Sequence, residues 1–335
     1  MKITVFAGGV GAAKFLQGLV GVVEPRDVTV IVNVGDDVEI MGLRVSPDLD
    51  IVTYTLAGLV DESKGWGFRG DTFRALSRLK GYGADVWMAL GDEDLATHIH
   101  RTYRLASGAR LSEVTDEIRT RLGVASRIVP ATEDRVTTLV KLADERIVSF
   151  EEYYVRYGFE PRISGVTYSG CPSAKPAPGV LEAIESADAV IIAPSNPIAS
   201  IMPILCIEKI AEAMRNRERR IAISPIVRGR AVKGPAAQMM ADLGMEPSPV
   251  GVANIYRDIV DAIVIDSRDA GLSARVESET GIRPFITDTM MVSVDAKRRL
   301  TEFTLRSIMN MRPAAAALAQ VSIRPEHPGS STSED

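Results

Sequence analysis

A glycine-rich turn near the start of the chain restricts the possible folds more than any other feature. The β-branched run Ile3–Ala7 ends in Gly8, Gly9 and Gly11, and a helical apolar pattern begins directly afterwards. This order predicts a strand, a tight turn and a helix. Glycine lets the backbone approach a ligand closely, and a helix N-terminus attracts anions. With Lys14 one turn into the helix, the stretch predicts a phosphate-binding turn; a βα turn without a ligand is the alternative.

Later apolar runs extend this beginning into a parallel sheet. A second buried-strand pattern, Val28–Val34, follows the first helix and completes a βαβ unit. Further strand patterns alternate with helices at Ala189–Ala193, Arg220–Ser224 and Ala262–Asp266. The sequence therefore predicts an α/β fold with a doubly wound, mostly parallel, Rossmann-like sheet.

Other stretches predict additions to this sheet. Helical patterns dominate between the second strand and a short strand at 127–130, and Val136–Val140 with Ile147–Phe150 predicts a hairpin. We predict a Rossmann-like nucleotide-binding core from residues 1–55 and 125–320, with a small helical domain inserted at 56–124. The polar tail, residues 324–335, is predicted to be disordered.

Composition excludes several classes of protein. With 46% hydrophobic and 25% charged residues, the 335-residue chain is typical of a globular enzyme. A net charge of −5 argues against nucleic-acid binding. No apolar run is long enough to span a membrane and no signal peptide is recognised, so we expect a cytoplasmic protein. Cys171 and Cys206 are too few and too widely separated to predict a disulfide framework or a zinc site.

Small polar residues follow the predicted strands. Asn33 ends the second strand, Ser195 and Asn196 lie between two prolines after a later one, and Ser224 precedes Pro225 at the end of the next. In an open α/β sheet, ligands bind beyond the carboxyl ends of the strands. These residues therefore predict one binding site, although Ser195 and Asn196 alone could simply cap a helix.

Two clusters of carboxylates predict a divalent metal. One, in the acidic loop after the second strand, contains Asp36, Asp37, Asp48 and Asp50, and the other contains Asp92, Glu93 and Asp94. Magnesium commonly takes one or two carboxylates together with substrate phosphates. Asp36 could alternatively bind a dinucleotide ribose. His98 lies four residues after Asp94, so a hydrogen bond between the two is as consistent with the sequence as a catalytic role.

Six short motifs occur in order at Ala7–Lys14, Val32–Asp37, Ser46–Asp50, Gly91–His98, Ala193–Pro197 and Ile223–Val227. Together they resemble the 2-phospho-L-lactate transferase family of coenzyme F-420 biosynthesis, from about residue 3 to residue 295. The resemblance implies transfer of a 2-phospholactyl or enolpyruvyl phosphate group from a guanosine diphosphate donor to the 5′-hydroxyl of the deazaflavin FO. It also implies Mg²⁺, release of GMP and a homodimer. A guanine-nucleotide-binding regulatory protein of the same fold and an NAD-dependent oxidoreductase are the alternatives.

The resemblance assigns roles to individual residues. It implies phosphate contacts from Gly8, Gly9, Gly11 and Lys14, and guanosine contacts from Ser195, Asn196, Ser224 and Gly234. It implies metal contacts from Asp37, Asp48 and Asp50, with Asp50 and Asp48 as the catalytic candidates. Asn33, Asp92 and His98 complete the predicted binding residues. The chain departs from some relatives at Ala89, where they carry a charged residue close to the expected FO contacts.

Overall fold

The strands and helices of the protein are those of a computed structural model that describes residues 1–311. The strands are Ile3–Ala7 (β1), Val28–Val32 (β2), Val38–Ile40 (β3), Leu43–Val45 (β4), Arg127–Pro130 (β5), Thr137–Leu142 (β6), Ile147–Ser149 (β7), Ile163–Ser169 (β8), Ala189–Ile192 (β9), Arg220–Ile223 (β10), Ile226–Val227 (β11), Arg230–Ala231 (β12), Ala262–Asp266 (β13) and Arg283–Thr287 (β14). The α-helices are Gly9–Leu19 (α1), Pro47–Leu56 (α2), Arg74–Gly81 (α3), Asp92–Ala106 (α4), Leu111–Arg121 (α5), Val180–Ser186 (α6), Met202–Leu205 (α7), Glu208–Arg215 (α8), Ala236–Asp242 (α9), Pro249–Ile255 (α10), Ser273–Thr280 (α11) and Val294–Met309 (α12).

Seven strands form the central sheet, in the order β14-β13-β10-β9-β1-β2-β5, and every neighbouring pair is parallel. The chain runs outward from β1 through β2 to β5, then returns to β9 and runs outward in the other direction. This confirms the predicted doubly wound α/β fold. The reversal leaves a crevice between β1 and β9, where open sheets of this kind bind ligands.

The central strands are apolar because helices cover both faces of the sheet. All five residues of β1 are buried, and they alternate between two hydrophobic cores: Phe6 lies in one, and Ile3 and Val5 lie in the other. Phe15 of α1 packs into the second core together with residues of α12. Burial of this kind contributes about 1.5–3 kcal/mol for each large side chain.

A smaller antiparallel sheet, in the order β7-β6-β8, follows β5. Its β6–β7 pair is the hairpin predicted from the sequence, whereas β8 and the edge strand β14 were not predicted. Within the predicted insertion, residues 56–124, lie α3, α4 and α5. The boundaries of that domain stay a prediction, and the tail predicted to be disordered lies outside the described residues. No helix among the described residues combines the length and the apolar character needed to cross a membrane.

The acidic loop predicted after the second strand is largely not a loop. Residues 38–45 form the β3–β4 hairpin, and α2 begins at Pro47, so Asp48 and Asp50 lie in the first turn of a buried helix. Proline is favoured at this first helical position, and acidic residues are favoured near a helix N-terminus. The placement of Asp48 and Asp50 in a loop was therefore wrong.

The two cysteines are bonded to each other. Cys171, in the turn after β8, and Cys206, after α7, form a disulfide across 35 residues of sequence, with their Cα atoms 5.9 Å apart. The number and spacing of the cysteines excluded a disulfide framework and a zinc site, and they did not predict this single bond. Distance along the chain does not determine distance in space, and the fold brings the two Cα atoms within bonding range.

Candidate active site

A cavity of about 300 Å³ lies at the carboxyl ends of β1, β9 and β10, beside the crevice where the chain reverses. Nine of the predicted site residues line it: Gly8, Gly9, Gly11, Lys14, Asp48, Ser195, Asn196, Ser224 and Gly234. The other five do not belong to its lining: Asn33, Asp37, Asp50, Asp92 and His98. The polar residues at the strand ends thus converge, whereas of the acidic residues in this predicted set only Asp48 lines the cavity.

The glycine turn after β1 is already hydrogen-bonded within the protein. The Gly8 amide donates to the Ser195 hydroxyl over 3.3 Å, and the Gly9 amide donates to Asp48 Oδ1 over 2.7 Å. Gly9 has a φ of +71°, which favours glycine. The next amides, those of Val10 and Gly11, belong to the first turn of α1, where N–H groups have no acceptor within the helix. These amides and Lys14 are the donors that this turn and its helix offer to an anion.

Asp48 is held in place from both of its oxygens. Its Oδ2 accepts from the side-chain amide of Asn33 over 2.9 Å, while Oδ1 accepts from Gly9. The Asn33 oxygen accepts in turn from the Gly35 amide over 2.8 Å. Asn33 therefore lies behind Asp48 and orients it. Burial raises the pKa of Asp48 to about 6, although both hydrogen bonds favour the charged form.

Two further buried acids, Asp36 and Glu151, line the cavity. Asp36 Oδ1 and Glu151 Oε2 are buried without a hydrogen-bond partner among the described residues. Burial, followed by the charges of Asp48 and Glu151, raises the pKa of Asp36 well above its usual range. Burial, followed by the charge of Asp48, raises the pKa of Glu151 to about 8. Such a group of acids is stabilised by a bound cation or by protonation.

Glu151 is the site residue that the sequence did not reveal. It directly precedes the π-helical turn Glu152–Arg156, and it enters the cavity beside Phe150 and Tyr154. Nothing in its sequence neighbourhood separates it from the other acidic residues of the chain. Its significance comes from the β6–β7 hairpin, which ends two residues before it, and from its place in the cavity lining.

Asp37 lines a second cavity, of about 410 Å³, and not the cavity that Asp36 lines. Its Oδ2 accepts from the Ser46 hydroxyl over 2.8 Å and lies 3.9 Å from the Arg44 guanidinium. Burial raises the pKa of Asp37 to about 7. Asp36 and Asp37, although consecutive, therefore belong to different cavities.

Asp50 belongs to a buried network between α2 and α4. Its carboxylate pairs with the Arg101 guanidinium, and its Oδ2 lies 3.7 Å from His98 Nδ1. His98 Nε2 lies 3.3 Å from Asp94 Oδ1, which also accepts from the Tyr54 hydroxyl over 2.9 Å. The predicted proximity of Asp94 and His98 is therefore present, but the Nε2 contact lacks hydrogen-bond geometry.

This network is also the one place among residues 1–311 where three potential metal ligands approach one another. Atoms of Asp50, Asp94 and His98 lie within 4.8 Å of each other. The guanidinium of Arg101, which is only 2% exposed, already neutralises Asp50 there. A cation beside Arg101 would experience repulsion at short range, so the network is better suited to holding α4 against α2 than to binding a metal.

Asp92 and Asn196 both serve as helix caps. Asp92 accepts from the Arg74 and Ala75 amides at the start of α3 over 3.1 and 3.0 Å. Asn196 Oδ1 accepts from the Ile198 and Ala199 amides over 3.0 and 3.2 Å. The capping alternative considered for Asn196 is thus present together with its position on the cavity wall.

The fold and the cavity define an α/β protein with a ligand site at the switch point of a parallel sheet. The chain belongs to the 2-phospho-L-lactate transferase CofD family, whose model matches residues 3–308. This confirms the resemblance found in the sequence motifs. The protein is therefore a transferase, which sets aside the regulatory and oxidoreductase alternatives.

Individual relatives agree with this assignment. The phosphoenolpyruvate transferase of Streptomyces griseus is 40% identical over 318 residues, covering 93% of this chain and all of the relative. The 2-phospho-L-lactate transferase of Methanocaldococcus jannaschii is 40% identical over 303 residues, covering 90% of this chain and 96% of the relative. A crystal structure of a UPF0052 family member from Bacillus halodurans shares the fold, with a TM-score of 0.61, 17% identity and coverage of 91% of this chain and 98% of that one.

Proposed function

We propose that this transferase moves a 2-phospholactyl or enolpyruvyl phosphate group from a guanosine diphosphate donor to the 5′-hydroxyl of the deazaflavin FO, with release of GMP. The observation that carries the proposal is the meeting of a glycine turn, two lysines and three buried acids in one cavity. The amides of the glycine turn and the two lysines are suited to binding a diphosphate. A hydroxyl that attacks phosphorus needs a proton acceptor and neutralised charge.

Mg²⁺ fits the acidic part of this cavity. Asp36 and Asp48 would hold it, because two carboxylates plus substrate phosphate oxygens are a common magnesium environment. The buried, unpartnered Asp36 Oδ1 supports this assignment. When bound, the ion would neutralise charge on the diphosphate. Asp37 and Asp50, which the sequence also suggested as ligands, have Ser46 and Arg101 as their partners instead.

Glu151 is proposed as the proton acceptor. In the reaction, the FO hydroxyl oxygen forms a bond to the donor phosphorus and the bond from that phosphorus to the GMP oxygen breaks. The hydroxyl proton passes to Glu151 Oε2, the oxygen that is buried without a partner. Burial raises the pKa of Glu151 to about 8, so once this group has lost its own proton it is a stronger base than an ordinary glutamate. Phe150 and Tyr154 beside it offer flat apolar surfaces to the deazaflavin ring.

Turnover with matched variants tests this role. The purified protein is incubated with FO, Mg²⁺ and each donor, and GMP is measured by chromatography. We expect Glu151→Gln to reduce turnover by about 10²–10⁴-fold, the range for loss of a general base. Glu152→Gln is the matched control, since Glu152 bonds Arg156 and does not line the cavity. A Glu151→Gln variant that keeps more than about a tenth of wild-type turnover would exclude Glu151 as the base.

Guanosine recognition is tested separately. Ser195, Asn196 and Ser224 lie on the cavity wall where the resemblance implies the nucleoside. We expect calorimetric titration to show tighter binding of GDP than of ADP, and equal affinities would contradict the guanosine assignment. Mass spectrometry of the product formed with both donors in competition would then identify the preferred group, because the two products differ by two hydrogens.

A further inference from the structure

The cations of the cavity come from two distant parts of the sequence. Within the described chain, the lysines and arginines that line it are Lys14 and Lys233. Lys14 belongs to α1, and Lys233 follows the β11–β12 hairpin. Partial burial, followed by the charge of Lys14, lowers the pKa of Lys233. Two positive groups that repel each other across a cavity favour the binding of an anion between them.

The Lys233 ammonium also touches a third segment, the loop formed by residues 61–67. Its Nζ donates to the main-chain carbonyl of Lys64 over 3.0 Å. A Cβ atom placed on Gly65 would lie 2.7 Å from this Nζ and 3.4 Å from Val10 Cγ1. The 61–67 loop therefore lies close to both the Lys233 ammonium and the Val10 side chain in the first turn of α1.

An ammonium group has three donors, and the Lys64 carbonyl uses one of them. The two that remain can bind phosphate oxygens at the same time. We propose that Lys233 is a second phosphate-binding lysine of this site, and that its bond to the Lys64 carbonyl couples the bound diphosphate to the 61–67 loop. The inference rests on the proposed function to the extent that the diphosphate is that of the donor.

GDP titration of three proteins tests the binding role. Lys233→Met removes the ammonium group but keeps a flexible apolar stem. A lost charge-assisted hydrogen bond should weaken GDP binding about tenfold or more. Lys64→Ala is the matched control: it keeps the carbonyl that Lys233 contacts and removes a side chain that pairs with Asp61. We expect its GDP affinity to stay within about twofold of the wild type.

Hydrogen exchange of the 61–67 amides tests the coupling. We expect GDP to slow their exchange in the wild type and in Lys64→Ala, but not in Lys233→Met at GDP concentrations that saturate it. Equal protection in Lys233→Met would overturn the coupling. Equal GDP affinity of Lys233→Met and the wild type would overturn the binding role. Lys233→Arg, which keeps a positive charge, should recover part of the lost affinity.

Inorganic pyrophosphate separates this inference from the donor assignment. If the wild type binds pyrophosphate but not GDP, the guanosine donor is wrong, while a tenfold loss of pyrophosphate affinity in Lys233→Met would still support the lysine. Equal pyrophosphate affinity in the two proteins would overturn the lysine inference whatever GDP shows. A wild-type protein that binds neither compound would overturn both proposals.

Discussion

Two aspartates in the same helical turn occupy different environments. Asp48 and Asp50 are two residues apart in α2, and residues at this spacing do not share a helix face. Asp48 accepts from the Gly9 amide at the cavity, whereas Asp50 pairs with Arg101 of α4. The motif around them made both catalytic candidates, with Asp50 ahead of Asp48. The segment against which each residue packs is what distinguishes them.

The ion pair between Asp50 and Arg101 gives the first prediction. Asp50→Asn leaves the buried Arg101 charge without its partner, and breaking a buried pair costs about 3–5 kcal/mol. We therefore expect a large loss of stability in denaturant unfolding, in contrast to the small change expected of a loop residue. The double variant Asp50→Leu/Arg101→Met removes both charges and should recover most of this loss. If the double variant folds but loses turnover more than about a hundredfold, Asp50 has a catalytic role after all.

The glycine turn gives the second prediction. A Cβ on Gly11 would lie too close to the Pro194 carbonyl oxygen, so Gly11→Ala must displace α1 from the loop after β9. Gly9 has open space, but its φ of +71° costs a side-chain residue about 1–2 kcal/mol. We expect Gly11→Ala to lower the melting temperature more than Gly9→Ala does.

The positive φ of Gly9 also determines what a valine at this position would do. A β-branched residue at positive φ is strained, so Gly9→Val should destabilise the fold as well as weaken GDP binding. Gly9→Ala is therefore the better variant for testing the turn. Melting and GDP titration of one preparation compare the two effects; a Gly9→Ala protein that binds GDP as the wild type does would show that the turn is structural.

At the scale of elements, the disulfide joins the turn after β8 to the end of α7. Helix α7 directly continues the turn Pro197–Ile201, which Asn196 caps at the cavity wall. The bond thereby ties the antiparallel sheet to the segment that forms one side of the site. For a 35-residue separation, the entropy removed from the unfolded chain corresponds to about 3–4 kcal/mol.

The third prediction follows from this loop length. Cys206→Ser should reduce the free energy of unfolding by about 2–4 kcal/mol, measured in denaturant without reductant. Adding a thiol reductant should produce a similar loss in the wild type and no further loss in the variant. If Cys206→Ser and the wild type unfold at the same denaturant concentration, the bond contributes nothing to stability.

At the scale of the whole molecule, the acids near the switch point make stability depend on pH. The pKa of Asp48 is raised to about 6, that of Asp37 to about 7 and that of Glu151 to about 8, from ordinary values of 3.8, 3.8 and 4.5, with burial as the main cause of each shift. Between the ordinary and the raised values, the folded chain binds more protons than the unfolded one. The contribution of these acids to stability is therefore present at low pH and is lost as pH rises from about 4 to 8.

The loss of stability with rising pH gives the fourth prediction. In EDTA, Glu151→Gln should lose less stability than the wild type between pH 6 and pH 8, because it lacks one acid that must give up a proton. Mg²⁺ should stabilise the wild type more at pH 8 than at pH 6, since an ion bound to the folded state competes with those protons. Melting temperatures with EDTA and with Mg²⁺ measure both effects. Identical pH profiles for the two proteins would show that Glu151 does not titrate in this range.

The residue pattern alone was enough to predict the central sheet and the glycine turn at its start. Ala189–Ile192 is apolar throughout and Ile3–Ala7 is apolar except for Thr4, because both faces of a parallel strand are buried, and this property is visible in the residues themselves. The apolar pattern did not predict β14, an edge strand with exposed positions, or β8, which is only partly buried. The predicted convergence of strand-end residues followed from the topology of an open sheet.

Which acids and cations meet depends on how distant segments of the chain pack together. Gly9 contacts Asp48 across 39 residues, Lys233 contacts the Lys64 carbonyl across 169, and Cys171 bonds Cys206 across 35. Local sequence patterns indicate which face of its own helix or strand a residue occupies. They do not indicate which distant segment packs against that face. Glu151 shows this most clearly: its exposed neighbour Glu145 is the same kind of acid, and only burial beside Asp36 and Asp48 distinguishes the two.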